Sequence, residues 1–231
     1  MSARFTLPRW LPEHSKAYDL LAAAPAVAWF GFSAFRILAA IAQNLQRADL
    51  HHLGVTFAVG LLAEVAGFFF VLLVLGFLVI RDPAKRKAEG MVPRLMAVCG
   101  TYLGVAVVWL PPQPMGFSLS LMSLGFILGG LGFSAFSLAH LGRSFSLMAE
   151  ARRLVTDGPY SVIRHPLYLG EAISTFGLTL QYNSTLAFSI MALQFAFQFQ
   201  RMKHEEQVLA RQFDEYEGYR LRTARILPGI Y

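Results

Sequence analysis

The sequence predicts an all-α protein, a polytopic membrane bundle of about six transmembrane segments with a cytoplasmic helical extension at the C-terminal end. One observation behind this prediction is composition: of the 231 residues, 55% are hydrophobic and 15% are charged, a balance typical of membrane proteins rather than soluble domains. A second is a succession of long apolar segments. A third is the placement of basic residues at alternate ends of those segments.

Six apolar segments follow one another along the chain. They cover residues 20–45, 55–80, 95–110, 117–140, 167–180 and 185–199. A straight transmembrane helix needs about 20 residues (roughly 17 to 25), so the first, second and fourth segments predict spans. The other three are short. They cross only if flanking residues extend their helices, and the alternative for the fifth and sixth is a hairpin tucked against the other helices.

The basic residues predict the orientation. They precede the first segment, follow the second and fourth, and accumulate after the sixth, whereas the connections at 47–49, 111–114 and 181–183 hold one basic residue in total. Because Lys and Arg are retained on the cytoplasmic side, six crossings with both termini cytoplasmic put nearly every cation on one side. The formal net charge of +6 therefore needs no nucleic-acid partner.

Polar and small residues inside the spans predict helix contacts. Arg36 and Glu64 lie at matching depth in the first two spans, and we expect them to form an ion pair, since either would be costly alone in hydrocarbon. A role in a substrate path is the alternative. In the fourth span, Gly125, Gly129 and Gly132 place small residues on one side, which permits close helix packing.

A polar, turn-rich stretch separates the fourth and fifth apolar segments. Its Asp157-Gly158-Pro159 sequence is typical of a turn. Pro166 before an apolar run predicts the first turn of a helix, with His165 at or near the N-cap. The free N–H groups and the positive dipole end of that helix favour an anionic ligand group beside Arg164 and His165.

The sixth apolar segment continues as a polar helix that we expect to end near Gly218. One face carries Gln198, Arg201, Glu205, Val208 and Gln212 at helical spacing. A solvated amphipathic tail with weak i,i+4 ion pairs is the structural alternative to a binding face. We expect no metal site, because the histidines are scattered without companion ligands at a usable spacing.

Several motifs in order resemble the isoprenylcysteine carboxyl methyltransferase family. They are the runs at 142–146, 154–160, 164–170 and 225–228, together with Arg201 and the pair Glu205-Glu206. Related membrane phospholipid methyltransferases share the Arg-His-Pro-x-Tyr-x-Gly corner and a later Glu-Glu pair. The resemblance covers roughly residues 141–231, and the first four spans show only generic hydrophobicity.

The resemblance implies a single membrane domain over residues 1–231, with N-terminal spans in 1–140 and a cofactor-binding catalytic part in 141–231. It implies S-adenosyl-L-methionine at the cytoplasmic face and a lipophilic methyl acceptor that enters from the bilayer. By motif position, the cofactor contacts are Glu150, Leu154, Val155, Tyr160, His165, Pro166, Leu167, Tyr168 and Glu205. Arg201 faces the substrate carboxylate. Arg152 and Arg153 depart from the family's pattern, since its human-type members have a His-Thr pair there.

The chemistry of these residue types agrees with the resemblance. The helix start at Arg164-His165-Pro166 suits the cofactor carboxylate, Glu205 suits its ribose hydroxyls or ammonium, Leu154 and Val155 suit adenine, and a tyrosine face suits the sulfonium. A substrate carboxylate is itself the nucleophile, so O-methylation needs no general base.

Other functions stay open from the sequence. N-methylation of a phospholipid or another small lipophilic acceptor needs a base, for which Glu206 or Glu205 is the candidate. A transporter or scaffold that uses Arg36 and Glu64 is the non-enzymatic alternative.

Overall fold

The computed structural model describes residues 15–47, 54–111 and 113–229, so His51 and His52 lie outside the described residues. Within these ranges the helices are α1 Lys16–Arg47, α2 Val55–Ile80, α3 Val92–Tyr102, α4 Phe117–Leu141, α5 Pro166–Tyr182, α6 Thr185–Gln212 and α7 Tyr216–Arg222. Short 3₁₀ helices cover Leu103–Trp109, Gly142–Ser144 and Gly158–Ser161. Two short antiparallel strands, β1 Arg86–Lys87 and β2 Glu150–Ala151, and an isolated parallel bridge between Ile163 and Ala224 depart from an all-α fold in the part described.

Three helices among the described residues are long and apolar enough to cross a membrane. They occupy Lys16–Gln46, Phe57–Ile80 and Phe117–Ser144, and they correspond to the first, second and fourth predicted spans. The protein is therefore an integral membrane protein, while six crossings stay a prediction. The 17 residues of α5 extend about 25 Å at 1.5 Å per residue.

The predicted ion pair between Arg36 and Glu64 is wrong. Glu64 instead accepts hydrogen bonds from the Asn44 side-chain amide, at 3.1 and 3.0 Å to its two oxygens. Arg36 is exposed on the outer surface of α1, and the ion pairs of the described chain do not join it to Glu64. Asn44 lies nearer the connection to α2, where a neutral amide satisfies the carboxylate.

Helices α4 and α5 pack closely through small residues, but not through the predicted ones. A Cβ added to Gly125, Gly129 or Gly132 would meet nothing within 4 Å. A Cβ on Gly177 of α5, by contrast, would lie 2.7 Å from the Ser123 carbonyl oxygen, and the Ser123 hydroxyl donates to the Gly177 carbonyl at 2.8 Å. The prediction selected the wrong face of α4, because small residues occur on more than one face.

The polar half of α6 ends at Gln212, not near Gly218 as predicted. Phe213 adopts an extended conformation, and after α7 the chain returns beside the stretch before α5. There the Arg164 N–H donates to the Ala224 carbonyl at 2.8 Å, and the His165 N–H donates to the Arg225 carbonyl at 3.1 Å. The C-terminal segment is thus hydrogen-bonded to the predicted site.

A hydrophobic cluster supports the site from inside the bundle. It joins α2, α4 and α5 to the segment that follows α4, through the buried residues Val74, Leu78, Leu138, Phe145, Leu147 and Leu167. Because lipid tails are as apolar as these side chains, their contribution comes from close van der Waals packing between the helices. This packing holds the polar stretch between α4 and α5 against the helix ends.

Candidate active site

A cavity lies between the start of α5, the polar half of α6 and residues 144–155, with about 760 Å³ of empty space that includes space open to solvent. Of the eleven site residues predicted from the sequence, nine line it: Glu150, Leu154, Val155, Tyr160, His165, Leu167, Tyr168, Arg201 and Glu205. Pro166 and Glu206 lie beside it without lining it.

The start of α5 forms one wall of the cavity as predicted. Pro166 is in the first turn, and His165 is the N-cap without a side-chain capping bond. The N–H groups of Leu167 and Tyr168 fall before the first intrahelical donor, since the Leu169 N–H is the one that reaches the His165 carbonyl. These two N–H groups and the helix dipole favour an anion in the cavity.

The Arg164 and Glu206 side chains bind each other rather than an anion in the cavity, and they connect the segments around the site. The Arg164 Nε donates to Glu206 Oε1 at 2.9 Å, and His165 Nε2 lies 3.2 Å from the same oxygen. Arg225 Nη2 donates to Glu206 Oε2 at 2.6 Å. Burial alone would raise the Glu206 pKa, but hydrogen bonds from His165, Arg225 and Arg164 outweigh it and hold the pKa well below its usual range. Such a carboxylate is poorly suited to act as a base.

A connected group of side chains from α5 and α6 also lines the cavity. The Arg201 side chain is buried, and its Nε donates to Glu205 Oε1 at 3.2 Å, one turn along α6. The Tyr168 hydroxyl donates to the same oxygen, and the Arg201 guanidinium lies 4.8 Å from the Tyr168 ring centre. Two further bonds, to Thr101 Oγ1 at 3.1 Å and the Ser146 carbonyl at 3.3 Å, fix the Arg201 side chain.

Arg152 lines the cavity and is fully buried. Its Nη2 donates to Asp19 Oδ1 at 2.8 Å and to Glu150 Oε2 at 2.6 Å, and Asp19 in turn accepts from Arg81 Nε at 2.7 Å. The Arg152 Nε and Nη1 atoms have no acceptor among the described residues. Sequence reasoning missed Asp19, because an acidic residue at the start of an apolar segment carries no signal of a partner 133 residues away.

Several buried polar atoms without a partner surround the same cavity. Within the described ranges, eight buried side-chain nitrogen and oxygen atoms lack a partner, and five of them are on cavity-lining residues: Ser144, Tyr160, Tyr216 and, twice, Arg152. Buried polar groups are normally hydrogen-bonded, so a polar ligand is the natural partner for this cavity. Ser144 lies in a motif already noted, whereas Tyr216 had no sequence signal beyond its spacing from Tyr219.

Tyr219 closes the cavity from the C-terminal segment. Its hydroxyl donates to the Tyr160 carbonyl at 2.7 Å, and burial raises the Tyr219 pKa to about 12. Burial also raises the Tyr160 pKa above its ordinary value. Both phenols are therefore protonated at neutral pH, and the unpartnered Tyr160 hydroxyl is available to donate to a ligand. No group of three or more His, Cys, Asp or Glu side chains that could hold a metal ion occurs in the described part of the chain.

Comparison with known proteins identifies the region that holds this cavity. Residues 114–216 match the family described as phospholipid methyltransferase. The resemblance to membrane methyltransferases is confirmed. The matched region contains α4, α5, α6 and the polar stretch between α4 and α5.

Two kinds of curated relatives match part of this chain. The protein-S-isoprenylcysteine O-methyltransferase of Schizosaccharomyces pombe is 35% identical over 117 residues, which are 47% of this chain and 49% of that protein. Protein-S-isoprenylcysteine O-methyltransferase B of Arabidopsis thaliana is 29% identical over 133 residues, 54% of this chain and 66% of that protein. The cobalt-zinc-cadmium resistance protein CzcN of Cupriavidus metallidurans is 36% identical over 105 residues, 43% of this chain and 49% of that protein. The chain thus spans about half the length of several curated relatives that it matches.

Proposed function

We propose that this protein uses S-adenosyl-L-methionine to O-methylate the carboxylate of an isoprenylcysteine-like lipophilic acceptor. The observation that carries this proposal is the cavity that brings the α5 N-terminus together with Arg201, Glu205 and the Tyr168 hydroxyl, within a region matched to methyltransferases. The name of the Schizosaccharomyces pombe relative supports the choice of acceptor.

The residues around the cavity fit S-adenosyl-L-methionine, which supplies a methyl group on a positively charged sulfur. The Leu167 and Tyr168 N–H groups and the unpartnered Arg152 donors suit its carboxylate. Glu150 and Glu205 suit the ammonium and the ribose hydroxyls, and Leu154 and Val155 suit the adenine. The Tyr168 ring suits a neighbouring cation. Pro166 contributes through the helix start, without lining the cavity.

Arg201 orients the acceptor carboxylate in this proposal. Its bonds to Glu205, Thr101 and Ser146 fix the guanidinium, and each Nη retains a further N–H for an incoming oxygen. Because Glu205 balances part of the positive charge, the grip on the carboxylate is loose enough to leave it nucleophilic. No residue has to remove a proton, and the chain contributes proximity, alignment and exclusion of water.

Phospholipid N-methylation is the second candidate, and the match to the phospholipid methyltransferase family favours it. That reaction needs a base. Glu206 is held by three positively charged or hydrogen-bonding partners, so Glu205 is the carboxylate that can serve. Glu205 already accepts from Arg201 and Tyr168, which makes O-methylation the better fit.

The membrane arrangement is part of the proposal. We place both termini in the cytoplasm with six crossings, the active site at the cytoplasmic face and the acceptor in the bilayer. Its support is the one-sided placement of basic residues and the position of the cavity beyond the last residues of the long apolar helix α4.

Purified protein tests this function in two steps. Calorimetry should detect binding of S-adenosyl-L-homocysteine, the demethylated product, and labelled methyl donor should then modify a prenylcysteine analogue in preference to phosphatidylethanolamine. Absence of binding would contradict the assignment of S-adenosyl-L-methionine as methyl donor. Preference for phosphatidylethanolamine would favour phospholipid N-methylation over carboxyl O-methylation.

Arg201→Ala should lower carboxyl methylation by about 30-fold or more, because a buried charge partner of the acceptor is removed. Arg222→Ala is the matched control, since Arg222 is exposed and its Nε donates to the Gly218 carbonyl of its own helix. S-adenosyl-L-homocysteine binding by both variants separates loss of the acceptor site from misfolding. Unchanged methylation by Arg201→Ala would show the acceptor assignment to be wrong.

A further inference from the structure

A second cavity lies inside the helix bundle beside the first. It encloses about 670 Å³ of empty space, part of it open to the surroundings, and Leu167 lines both cavities. A smaller cavity between α5 and α6 shares Glu171, Thr175, Gln194 and Gln198 with it. Of the proposed cofactor contacts, only Leu167 lines this second cavity.

The walls of the second cavity divide by polarity. Apolar side chains come from α1, α2, α4 and the segment after α4: Phe30, Phe70, Val74, Leu138, Phe145 and Leu147. Polar side chains come from α3, α5 and α6: Thr101, Glu171, Ser174, Thr175, Gln194 and Gln198. A space with one apolar and one polar wall fits an amphiphile whose tail and head group separate in the same way.

Glu171 is the one carboxylate among the described residues that line this cavity, and it is partly exposed. Its Oε2 accepts from Gln198 Nε2 at 2.8 Å, and its Oε1 accepts no hydrogen bond within the described chain. A carboxylate between apolar helices is costly unless it is hydrogen-bonded. Glu171 Oε1 is not among the buried unpartnered atoms and has no donor among the described residues, so it is open to a donor from a ligand in the cavity.

The carboxylate lies next to the proposed reacting groups. Glu171 follows Tyr168 by three residues on α5, and its partner Gln198 precedes Arg201 by three residues on α6, so each pair is about one helical turn apart. Thr101 lines the second cavity and also accepts from Arg201. A head group that reaches Arg201 from this cavity therefore passes Glu171.

We propose that Glu171 binds an N–H group of the methyl acceptor, so that the acceptor head carries an amide or amine nitrogen beside its carboxylate. This inference rests on the proposed function, in which Arg201 holds the carboxylate. The α-nitrogen of a cysteine derivative is such a group, one carbon away from the carboxylate. The lipophilic chain lies in the cavity against the wall formed by Phe30, Phe70 and Val74.

The test compares two ligands that share a farnesylthio tail and a carboxylate. N-acetyl-S-farnesylcysteine carries an amide N–H beside the carboxylate, and 3-(farnesylthio)propanoic acid lacks it. Equilibrium dissociation constants are measured with the full chain in detergent, with saturating S-adenosyl-L-homocysteine. We expect wild type to prefer the amide-bearing acid by about tenfold or more, since a hydrogen bond to a charged group is at stake.

Glu171→Gln should reduce this preference to within about threefold, while the affinity for the propanoic acid changes little. Glu89→Gln, at an exposed glutamate, should retain the full preference. Glu171→Asp keeps the charge one methylene further back, and its preference should lie between those of the other two. No preference in wild type, an unchanged preference in Glu171→Gln, or an equal loss of affinity for both acids would overturn the inference.

Turnover distinguishes this inference from the proposed function. Methyl transfer to neither acid would contradict the proposed function, whereas the ratio of dissociation constants is measured without turnover and reports on Glu171 alone.

Discussion

Arg152 is a single residue that connects the cavity to the N-terminal helix. Its side chain is 0% exposed, and one of its nitrogens lies between the carboxylates of Asp19 and Glu150. Arg152→Gln removes the positive charge between these two carboxylates, and breaking a buried pair in this way lowers the free energy of unfolding by about 3–5 kcal/mol. We expect a large fall in melting temperature, and S-adenosyl-L-homocysteine affinity about tenfold weaker by calorimetry, because the donors nearest the cavity are lost.

Arg153→Gln is the matched control for this prediction. Arg153 is the exposed neighbour of Arg152, so its replacement should leave the melting temperature almost unchanged. If Arg152→Gln melts as wild type does, the buried network contributes little to stability. If it melts lower but binds S-adenosyl-L-homocysteine as tightly as wild type, Arg152 has only a structural role.

Single residues also show how much of the site could be predicted from the sequence. The ordered motifs predicted which side chains gather at the cavity, because His165, Tyr168, Arg201 and Glu205 lie in short patterns whose spacing survives folding. Arg36 and Glu64 were paired from depth alone, which ignores the direction in which each side chain leaves its helix. Two side chains on neighbouring helices make contact only if they lie at the same depth and also point toward each other around the helix axes.

The packing of α4 against α5 is an element-level property on which the site depends. At Gly177 an added Cβ would meet Ser123, whereas at Gly129 it would meet nothing within 4 Å. We expect Gly177→Ala to destabilise the protein by about 1–3 kcal/mol through overpacking. Gly129→Ala should leave stability unchanged or slightly higher, because alanine is the better helix former.

Thermal melting in detergent measures both glycine variants. S-adenosyl-L-homocysteine affinity should fall with stability in Gly177→Ala, because a displaced α5 moves its N-terminal N–H groups. Equal melting temperatures for the two variants would contradict the assignment of this interface.

Helices were predictable as elements, but their contacting faces were not. The start of α5 followed from Pro166, a local signal. The stripe of small residues on α4 did not reveal its partner, since Gly125 and Gly130 both lie on a helix rich in small residues and the partner decides which of them is used. The end of α6 depended on α7, whose Tyr216 and Tyr219 fold back into the site.

At the scale of the whole molecule, Glu206 joins three distant parts of the chain. It is on α6, its partners Arg164 and His165 precede α5, and Arg225 follows α7. The folded-state pKa of Glu206 is lowered by these partners, so ionised Glu206 stabilises the fold above its unfolded pKa of about 4.5. That stabilisation is lost as the pH falls below about 4.5 toward the lower folded value.

Melting temperatures of wild type and Glu206→Gln across pH test whether the Glu206 charge holds these three parts of the chain together. At pH 7 we expect the variant to be less stable by about 3–5 kcal/mol, because the cations around position 206 lose their carboxylate. Below about pH 4.5 the difference should shrink by up to about 1.4 kcal/mol per pH unit, because wild type loses the same charge by protonation. Glu217→Gln, at an exposed helix pair with Arg220, is the control and should follow wild type throughout. A difference that stays constant from pH 7 to pH 3.5 would mean that the Glu206 charge does not hold the C-terminal segment to the site.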